Sequence, residues 1–209
     1  MTAAQVQLSP RAVRTRSALL AAGYELLAER PIDAIAIDDI VARAGVAKGS
    51  FFNHFTDKAG FAAELGAAVR AELELLVGAA NAKVSDPVER LAGGMRVALD
   101  FALTQRKRCI VMLRGLELST GIDHHLNQGI RADIAAIAEA GLARPEAVRS
   151  GVRFWLGLCQ IMQLNAIERA LTRRDAAERL REMLVLGLTG LGVPEGRAMA
   201  AAEQVSAAF

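Results

Sequence analysis

Two short segments with helical apolar spacing meet at one glycine, Gly45, and this arrangement constrains the fold more than any other feature. Residues 37–44 are apolar at helical spacing, which predicts a short helix. Glycine readily takes the left-handed conformation that ends a helix, so we expect this helix to stop at Gly45. Phe51 and Phe55 lie four residues apart and share one face of a third helix, expected over about residues 47–55, and we expect that face to pack into the core. The sequence thus predicts two short helices joined by a tight turn.

A longer helix precedes this pair. Leu19, Leu26 and Leu27 recur at helical spacing, and Pro31 ends the pattern because proline cannot continue a helix. Two short helices around a glycine turn form the helix-turn-helix unit, in which the second helix enters the DNA major groove and the first braces it. Residues 36–58 are therefore predicted to dock in the major groove.

The composition favours helix along the rest of the chain. Alanine and leucine dominate, there are only five prolines among 209 residues, and both features predict an all-α fold. We expect an N-terminal three-helix DNA-binding domain over residues 1–57 and a larger helical bundle for effector binding and dimerisation over residues 58–209. Further helices are expected at about 58–82, 87–105, 107–118, 124–142, 145–172, 176–192 and 195–207.

The overall charge gives no general nucleic-acid footprint. The formal net charge is only +2, so any DNA binding must depend on where individual charges lie. No run approaches the ~18 apolar residues that span a membrane, and no signal peptide is recognisable. We therefore expect a cytoplasmic protein with no membrane partner.

The stretch IVARAGVAKGSFFNHFTDK at residues 40–58 resembles the N-terminal signature of TetR-family transcriptional regulators. The preceding LLAAGYELL at residues 19–27 fits that family as well. The resemblance covers about residues 14–65 and exceeds a bare helix-turn-helix pattern, because Gly45, the Phe51/Phe55 pair and Lys58 all fall in register.

The resemblance implies a set of DNA-contacting residues. Lys48 and Asn53 are candidate base readers, because lysine donates to guanine O6 or N7 and asparagine pairs with adenine. Lys58 is expected to bind a backbone phosphate, and Gly49 to allow close approach of the helix. The full predicted DNA-binding set is Lys48, Gly49, Ser50, Phe52, Asn53, His54 and Lys58. Arg11 and Arg14 either reach the DNA backbone or minor groove or belong to a solvated N-terminal segment.

Three positions depart from the family pattern. Ala36 stands where a threonine usually caps the second helix, and Ala47 where a serine often caps the third. Phe52 replaces a frequent tyrosine whose hydroxyl reaches phosphate. Asp38 and Asp39 suit the positive start of the second helix but would repel nearby phosphates. We therefore expect operator binding that is weaker or more salt-sensitive than is usual in the family, but not abolished.

Two long helices near the C-terminus are the candidates for the dimer interface, and the resemblance implies a four-helix bundle from two protomers. A symmetric dimer also suits a palindromic operator. The alternative is that their apolar stripes are internal core. These stripes comprise Val148, Val152, Trp155, Cys159, Met162 and Ala166; then Phe154, Leu158 and Ile161; and then Leu180, Leu184, Gly187 and Leu191.

The middle helices are expected to enclose a pocket for an apolar or amphipathic small-molecule effector. Methionines and other large apolar side chains suit such a pocket, although plain core packing explains each of them individually. The predicted effector-binding residues are Met95, Leu99, Met112, Leu116, Trp155, Leu158 and Met162.

No catalytic residue, cofactor or metal site is predicted. The chain has no Gly-rich phosphate loop, nucleophile elbow or helical zinc motif. His124 and His125 are adjacent and point about 100° apart on a helix, so they do not chelate a metal by themselves. The sequence favours a homodimeric transcription regulator, a repressor released from its operator by an effector. The alternatives are a small-molecule-binding bundle with weakened or lost DNA binding, and a helical enzyme using the apolar pocket.

Overall fold

The computed structural model describes residues 9–115 and 124–209. Within those ranges it contains no β-strand, and the predicted all-α fold is confirmed. None of the described helices is long and apolar enough to cross a membrane. The helices are α1 (Pro10–Glu29), α2 (Ile37–Ala44), α3 (Gly49–Phe52), α4 (Lys58–Asn81), α5 (Pro87–Thr104), α6 (Arg106–Arg114), α7 (Gln128–Glu139), α8 (Pro145–Arg169), α9 (Arg173–Leu191) and α10 (Glu195–Ala207), with short 3-10 helices at Ile32–Ala34 and His125–Asn127.

Helix ends follow the residues that can satisfy free backbone groups. Ser9 accepts a hydrogen bond from the Ala12 amide at the start of α1, and Asp86 accepts from two amides at the start of α5. Gly45 has φ +67° and ends α2, where the Val46 amide donates to the Val41 carbonyl over 3.0 Å. The third helix is shorter than predicted, because beyond Phe52 the chain continues only in isolated turn hydrogen bonds.

The chain divides into two compact units. The first contains residues 9–68 and 110–115, and the second contains Val69–Cys109 and residues 124–209. The first unit extends past residue 57 because Phe61 and Leu65, in the first turns of α4, are buried. The predicted division into domains after residue 57 stays a prediction.

An aromatic cluster organises the first unit. The ring centroids of Phe51 and Phe61 are 5.3 Å apart, and those of Phe55 and Phe61 are 4.7 Å apart. These edge-on arrangements are the ones aromatic rings prefer. Leu19 and Ile40 are fully buried in the same unit, so α1 and α2 contribute to one core with α3 and α4.

Gly23 provides the space that this cluster needs. A Cβ at Gly23 would lie 2.2 Å from Cζ of Phe61, far inside the contact distance of two carbon atoms. The ring of Phe61 can therefore approach α1 only because position 23 has no side chain.

The end of α6 also belongs to the first unit. A Cβ at Gly66 would lie 2.8 Å from the backbone of Gly115, so α4 and this segment are in backbone contact. Arg114 Nη1 donates to the Leu27 carbonyl over 2.7 Å, near the C-terminal end of α1. Arginine is well suited to the unpaired carbonyls of a helix end.

The second unit is a helical bundle whose core is formed by α5, α8, α9 and α10. Trp155 is buried where it packs over Gly187 of α9. Gln163 is buried and donates from Nε2 to the Ala98 carbonyl over 3.1 Å, which satisfies its amide inside an apolar core. Asp133 is paired with Arg90 over 2.7 Å; burial raises the pKa of the Asp133 carboxyl, and the arginine opposes that rise.

Replacing Gly23 by alanine should destabilise the protein, because the added methyl group overlaps Phe61. We expect a loss of about 1–3 kcal/mol in the free energy of unfolding, measured by urea denaturation followed by circular dichroism. Gly78→Ala is the matched control: Gly78 also lies inside a helix, but nothing is within 4 Å of its Cβ position. The control should be neutral or stabilising. Equal stability of the two variants would contradict the packing described here.

Candidate DNA-binding surface

The helix-turn-helix is formed by α2, the turn at Gly45 and the single-turn helix α3. Ala36 precedes α2 and has no side-chain acceptor, but Asp39 accepts from the Ala36 amide over 3.3 Å. One of the two hydrogen bonds of a capping box is thus kept. Asp39 also pairs with Arg30 over 2.7 Å, which ties the end of α1 to α2.

Phe51 and Phe55 attach the α3 segment to the core. Phe51 is fully buried and Phe55 is nearly so, as the spacing predicted. A helix of one turn has little stability of its own, so these two rings hold it in place. Arg16 of α1 stacks on the ring of Phe55, with its Cζ 5.3 Å from the centroid, and pairs with Glu64.

The buried rings leave the intervening side chains outside the core. Lys48, Gly49 and Asn53 are exposed, and the ring of Phe52 is 54 % exposed. The other two members of the segment, Ser50 and His54, are half-buried. Six of the seven predicted DNA-binding residues therefore lie together on and beside α3.

Lys48 forms an ion pair with Asp38, a contact that was not predicted from the sequence. Its Nζ lies 2.8 Å from Oδ1 and 3.1 Å from Oδ2 of Asp38 in the first turn of α2. Both side chains are well exposed. This pair could have been predicted from the sequence, because the two opposite charges are ten residues apart on either side of a tight turn.

The seventh predicted residue, Lys58, lies at the start of α4 and is half-buried. Its Nζ donates to the Ile35 carbonyl over 2.8 Å and to the Ile32 carbonyl over 3.3 Å. An ammonium has three donors, so these contacts leave one for another acceptor. Lys58 thus joins the start of α4 to the 3-10 helix before α2. Arg11 and Arg14 are exposed near the start of α1.

The predicted effector-binding residues are distributed over the two units. Met95, Leu99, Trp155 and Met162 are buried in the second unit, where Leu158 is half-buried. Met112 is buried in the first unit. Leu116 lies outside the described residues.

Two cysteines accompany these apolar residues. Burial raises the pKa of the Cys109 and Cys159 thiols to about 12. For Cys159, the nearby Arg70 lowers the pKa and Glu74 raises it, and both effects are smaller than that of burial. Both thiols therefore stay protonated near neutral pH and are poor nucleophiles. Among residues 9–115 and 124–209, no group of three His, Cys, Asp or Glu side chains could hold a metal ion.

Comparison with known proteins identifies the N-terminal segment. Residues 19–65 match the family model described as bacterial regulatory proteins of the tetR family. No curated protein sequence gives a significant match.

Solved structures share the fold over nearly the whole chain. RolR in complex with the ligand resorcinol is 22% identical, with a TM-score of 0.65, over 93% of this chain and 95% of that one. A regulatory protein in the tetR family from Rhodococcus RHA1 is 18% identical, with a TM-score of 0.59, over 90% and 100%. A gamma-butyrolactone receptor, an ArpA-like protein, is 16% identical, with a TM-score of 0.57, over 96% and 100%.

Residues 19–65 thus carry the N-terminal domain described for bacterial regulatory proteins of the tetR family. The family model begins within α1, includes α2 and α3, and ends in the first turns of α4. DNA-binding regulation is the function that this match supports.

Replacing Lys58 by alanine should lower stability as well as any DNA affinity, because two carbonyls lose their donor. We expect the free energy of unfolding to fall by about 1 kcal/mol in urea denaturation. Lys83→Ala removes an exposed lysine from the second unit and serves as the control. A Lys58→Ala protein as stable as the control would show that the two carbonyl contacts contribute nothing in solution.

Proposed function

We propose that this chain is a homodimeric repressor that binds a palindromic operator through α3 and is released by a small apolar or amphipathic effector. The DNA-binding part is supported by residues 48–50 and 52–54, which are exposed or half-buried beside two buried phenylalanines. Lys48 and Asn53 are proposed to read bases, and Ser50, His54 and Lys58 to contact the sugar-phosphate backbone. We propose that the protein acts in the cytoplasm and catalyses no reaction.

The DNA-binding proposal is tested with a duplex selected from random sequence by repeated binding to the wild-type protein. The protein should bind the selected duplex at least several-fold more tightly than a scrambled duplex of the same composition. Lys48→Met and Asn53→Ala should change the selected base preference, whereas Lys58→Ala should weaken all duplexes alike. Equal binding to the selected and scrambled duplexes in low salt would favour the rival function, a small-molecule-binding bundle without operator recognition.

Phe52→Tyr should strengthen DNA binding, because a hydroxyl would be added to an exposed ring beside the proposed groove-facing residues. We expect affinity to rise by about 1 kcal/mol, roughly fivefold, for selected and scrambled duplexes alike, since a phosphate contact carries no sequence information. Fluorescence anisotropy titration measures the change, with Phe52→Leu as the variant that lacks the hydroxyl. If Phe52→Tyr binds no more tightly than the wild type, then residue 52 does not face phosphate.

The dimer proposal is supported by an exposed apolar face on α8 and α9. Phe154, Ile161 and Leu164 are spaced along one side of α8, and Ile161 is 55 % exposed. Gly157 lies between them with nothing near its Cβ position. Leu186 of α9 is 66 % exposed. Large exposed apolar faces on helices usually mark an interface, and the partner proposed here is a second copy.

A groove of about 440 Å³ between α9 and α10 extends this face. Its apolar part consists of Val185, Leu186 and Met199, and four charged residues complete the lining: Arg181, Glu182, Glu195 and Glu203. An apolar floor with charged edges is the usual composition of an interface core and rim. By contrast, Leu180, Leu184 and Gly187 of the predicted stripe are buried within the unit's own core.

The double variant Ile161→Glu with Leu186→Glu should be monomeric, because each dimer would have to bury four unpaired carboxylates. Light scattering coupled to size-exclusion chromatography measures the mass in solution. Leu75→Glu is the matched control, since Leu75 is 75 % exposed on α4. A dimeric double variant, or a control that dissociates equally, would place the interface elsewhere.

The effector proposal is supported by the large apolar side chains of the second unit and by the ligands of two structural neighbours. RolR binds resorcinol, and another neighbour is a gamma-butyrolactone receptor; both molecules are small and amphipathic. An effector can release DNA only if it binds the DNA-incompetent state more tightly. We propose that such a state is favoured in this chain by ligand among Met95, Leu99, Trp155, Leu158 and Met162.

Trp155 is the single tryptophan of the chain and provides the readout for effector binding. A small aromatic or lactone ligand that binds beside it should change its fluorescence at the concentration that releases the selected duplex. Leu99→Phe should weaken both effects by filling space, whereas Leu75→Phe, at an exposed position, should change neither. Release of DNA without any fluorescence change would place the effector away from Trp155.

A further inference from the structure

The ion pair between Asp38 and Lys48 lies beside the proposed recognition helix and is open to solvent. Both carboxylate oxygens lie within 3.1 Å of the lysine Nζ. Exposed pairs of this kind contribute little to folding stability and open readily. The Asp38–Lys48 pair therefore matters more for what Lys48 can contact than for the stability of the fold.

The neighbouring carboxylate, Asp39, makes different contacts. Asp39 accepts a hydrogen bond from the Ala36 amide and pairs with Arg30, so it supports the start of α2. Asp38 makes its described ion pair with Lys48, the residue just before α3. Of the two acidic residues in the first turn of α2, Asp38 is thus the one coupled to a proposed DNA-contacting side chain.

A DNA phosphate would compete with Asp38 for the same ammonium. Moving Lys48 from Asp38 to a phosphate gains one charge contact and loses another, and it leaves the carboxylate facing a negative surface. Moving it to the O6 and N7 atoms of a guanine gains directed hydrogen bonds that only the correct sequence offers. Opening the ion pair costs the same in both cases, but only a phosphate brings a negative charge next to Asp38, since the guanine edge is neutral. The carboxylate therefore penalises phosphate contacts more than base contacts.

We propose that Asp38 is a specificity-determining residue: it holds Lys48 away from phosphates on non-operator DNA and releases it to a base edge in the operator. This inference rests on the proposed operator-binding function. Discrimination by a group that penalises the wrong partner is a general route to specificity. It also accounts for an acidic residue at a surface where DNA-binding proteins usually place basic ones.

The test compares wild type with Asp38→Asn, using the full chain, the selected duplex and the scrambled duplex over a series of KCl concentrations. Asp38→Asn should bind the scrambled duplex several-fold more tightly and the selected duplex within about twofold of wild type, so that the specificity ratio falls. Freeing one lysine for a phosphate should steepen the salt dependence on scrambled DNA by about 0.9 in log K against log [salt] for each protomer. Asp38→Glu keeps the carboxylate and should retain wild-type discrimination.

Two controls distinguish an effect of Asp38 on Lys48 from the general effect of removing one negative charge. In a Lys48→Met background, Asp38→Asn should no longer steepen the salt dependence, because the lysine that it frees is absent. Glu29→Gln removes an exposed carboxylate in the last turn of α1 and should leave the specificity ratio unchanged. Circular dichroism checks that each variant is folded.

Three results would overturn the inference. One is an unchanged specificity ratio in Asp38→Asn; another is an equal effect of Asp38→Asn with and without Lys48. The third is a change of preference confined to one base pair, which would mean that Asp38 itself reads a base. Failure of the proposed function is distinguishable, because wild-type protein would then fail to prefer the selected duplex before any variant is made.

Discussion

The packing of Phe61 against Gly23 is the contact on which the DNA-binding unit depends. Phe61 touches both Phe51 and Phe55, and those two rings are what attach the single turn of α3 to the rest of the unit. A helix this short does not persist without tertiary contacts. The exposed groups between the rings therefore have a defined position only because a glycine in α1 leaves room for an aromatic ring from α4.

Cationic groups near α3 are already engaged before any DNA is bound. Lys48 pairs with Asp38, Lys58 donates to two backbone carbonyls, and Arg16 lies over Phe55 while pairing with Glu64. A contact of Lys48 with DNA must therefore exchange one partner for another, whereas Lys58 has one donor left for a phosphate. A chain with a formal net charge of only +2 has little long-range attraction to compensate for that exchange. Together these features favour a regulator that binds non-operator DNA weakly.

In α8 and α9 the apolar periodicity of the sequence does not predict which helix face is buried in the bundle. The sequence shows two apolar stripes on α8 and one on α9, and spacing could not distinguish the face that packs within the bundle from a face left for a partner. In the structure Val152, Trp155 and Met162 are buried, whereas Phe154 and Ile161, on the second predicted stripe, are exposed. Leu186 is exposed as well, although the stripe predicted on α9 did not include it.

Local spacing was sufficient to predict the order of the helices, the glycine turn and the burial of Phe51 and Phe55, because these follow from intervals of a few residues and from the conformations that glycine and proline allow. It also determined which residues stand on and beside α3. Tertiary structure decided the partners of the charged groups: Lys48 with Asp38, Lys58 with the carbonyls of Ile32 and Ile35, and Arg114 with Leu27. Those contacts join residues 10 to 87 positions apart, and no local pattern specifies which distant backbone or carboxylate a flexible cation will meet. Short-range spacing thus predicts the helix-turn-helix, whereas the partners of its charged side chains depend on the folded unit.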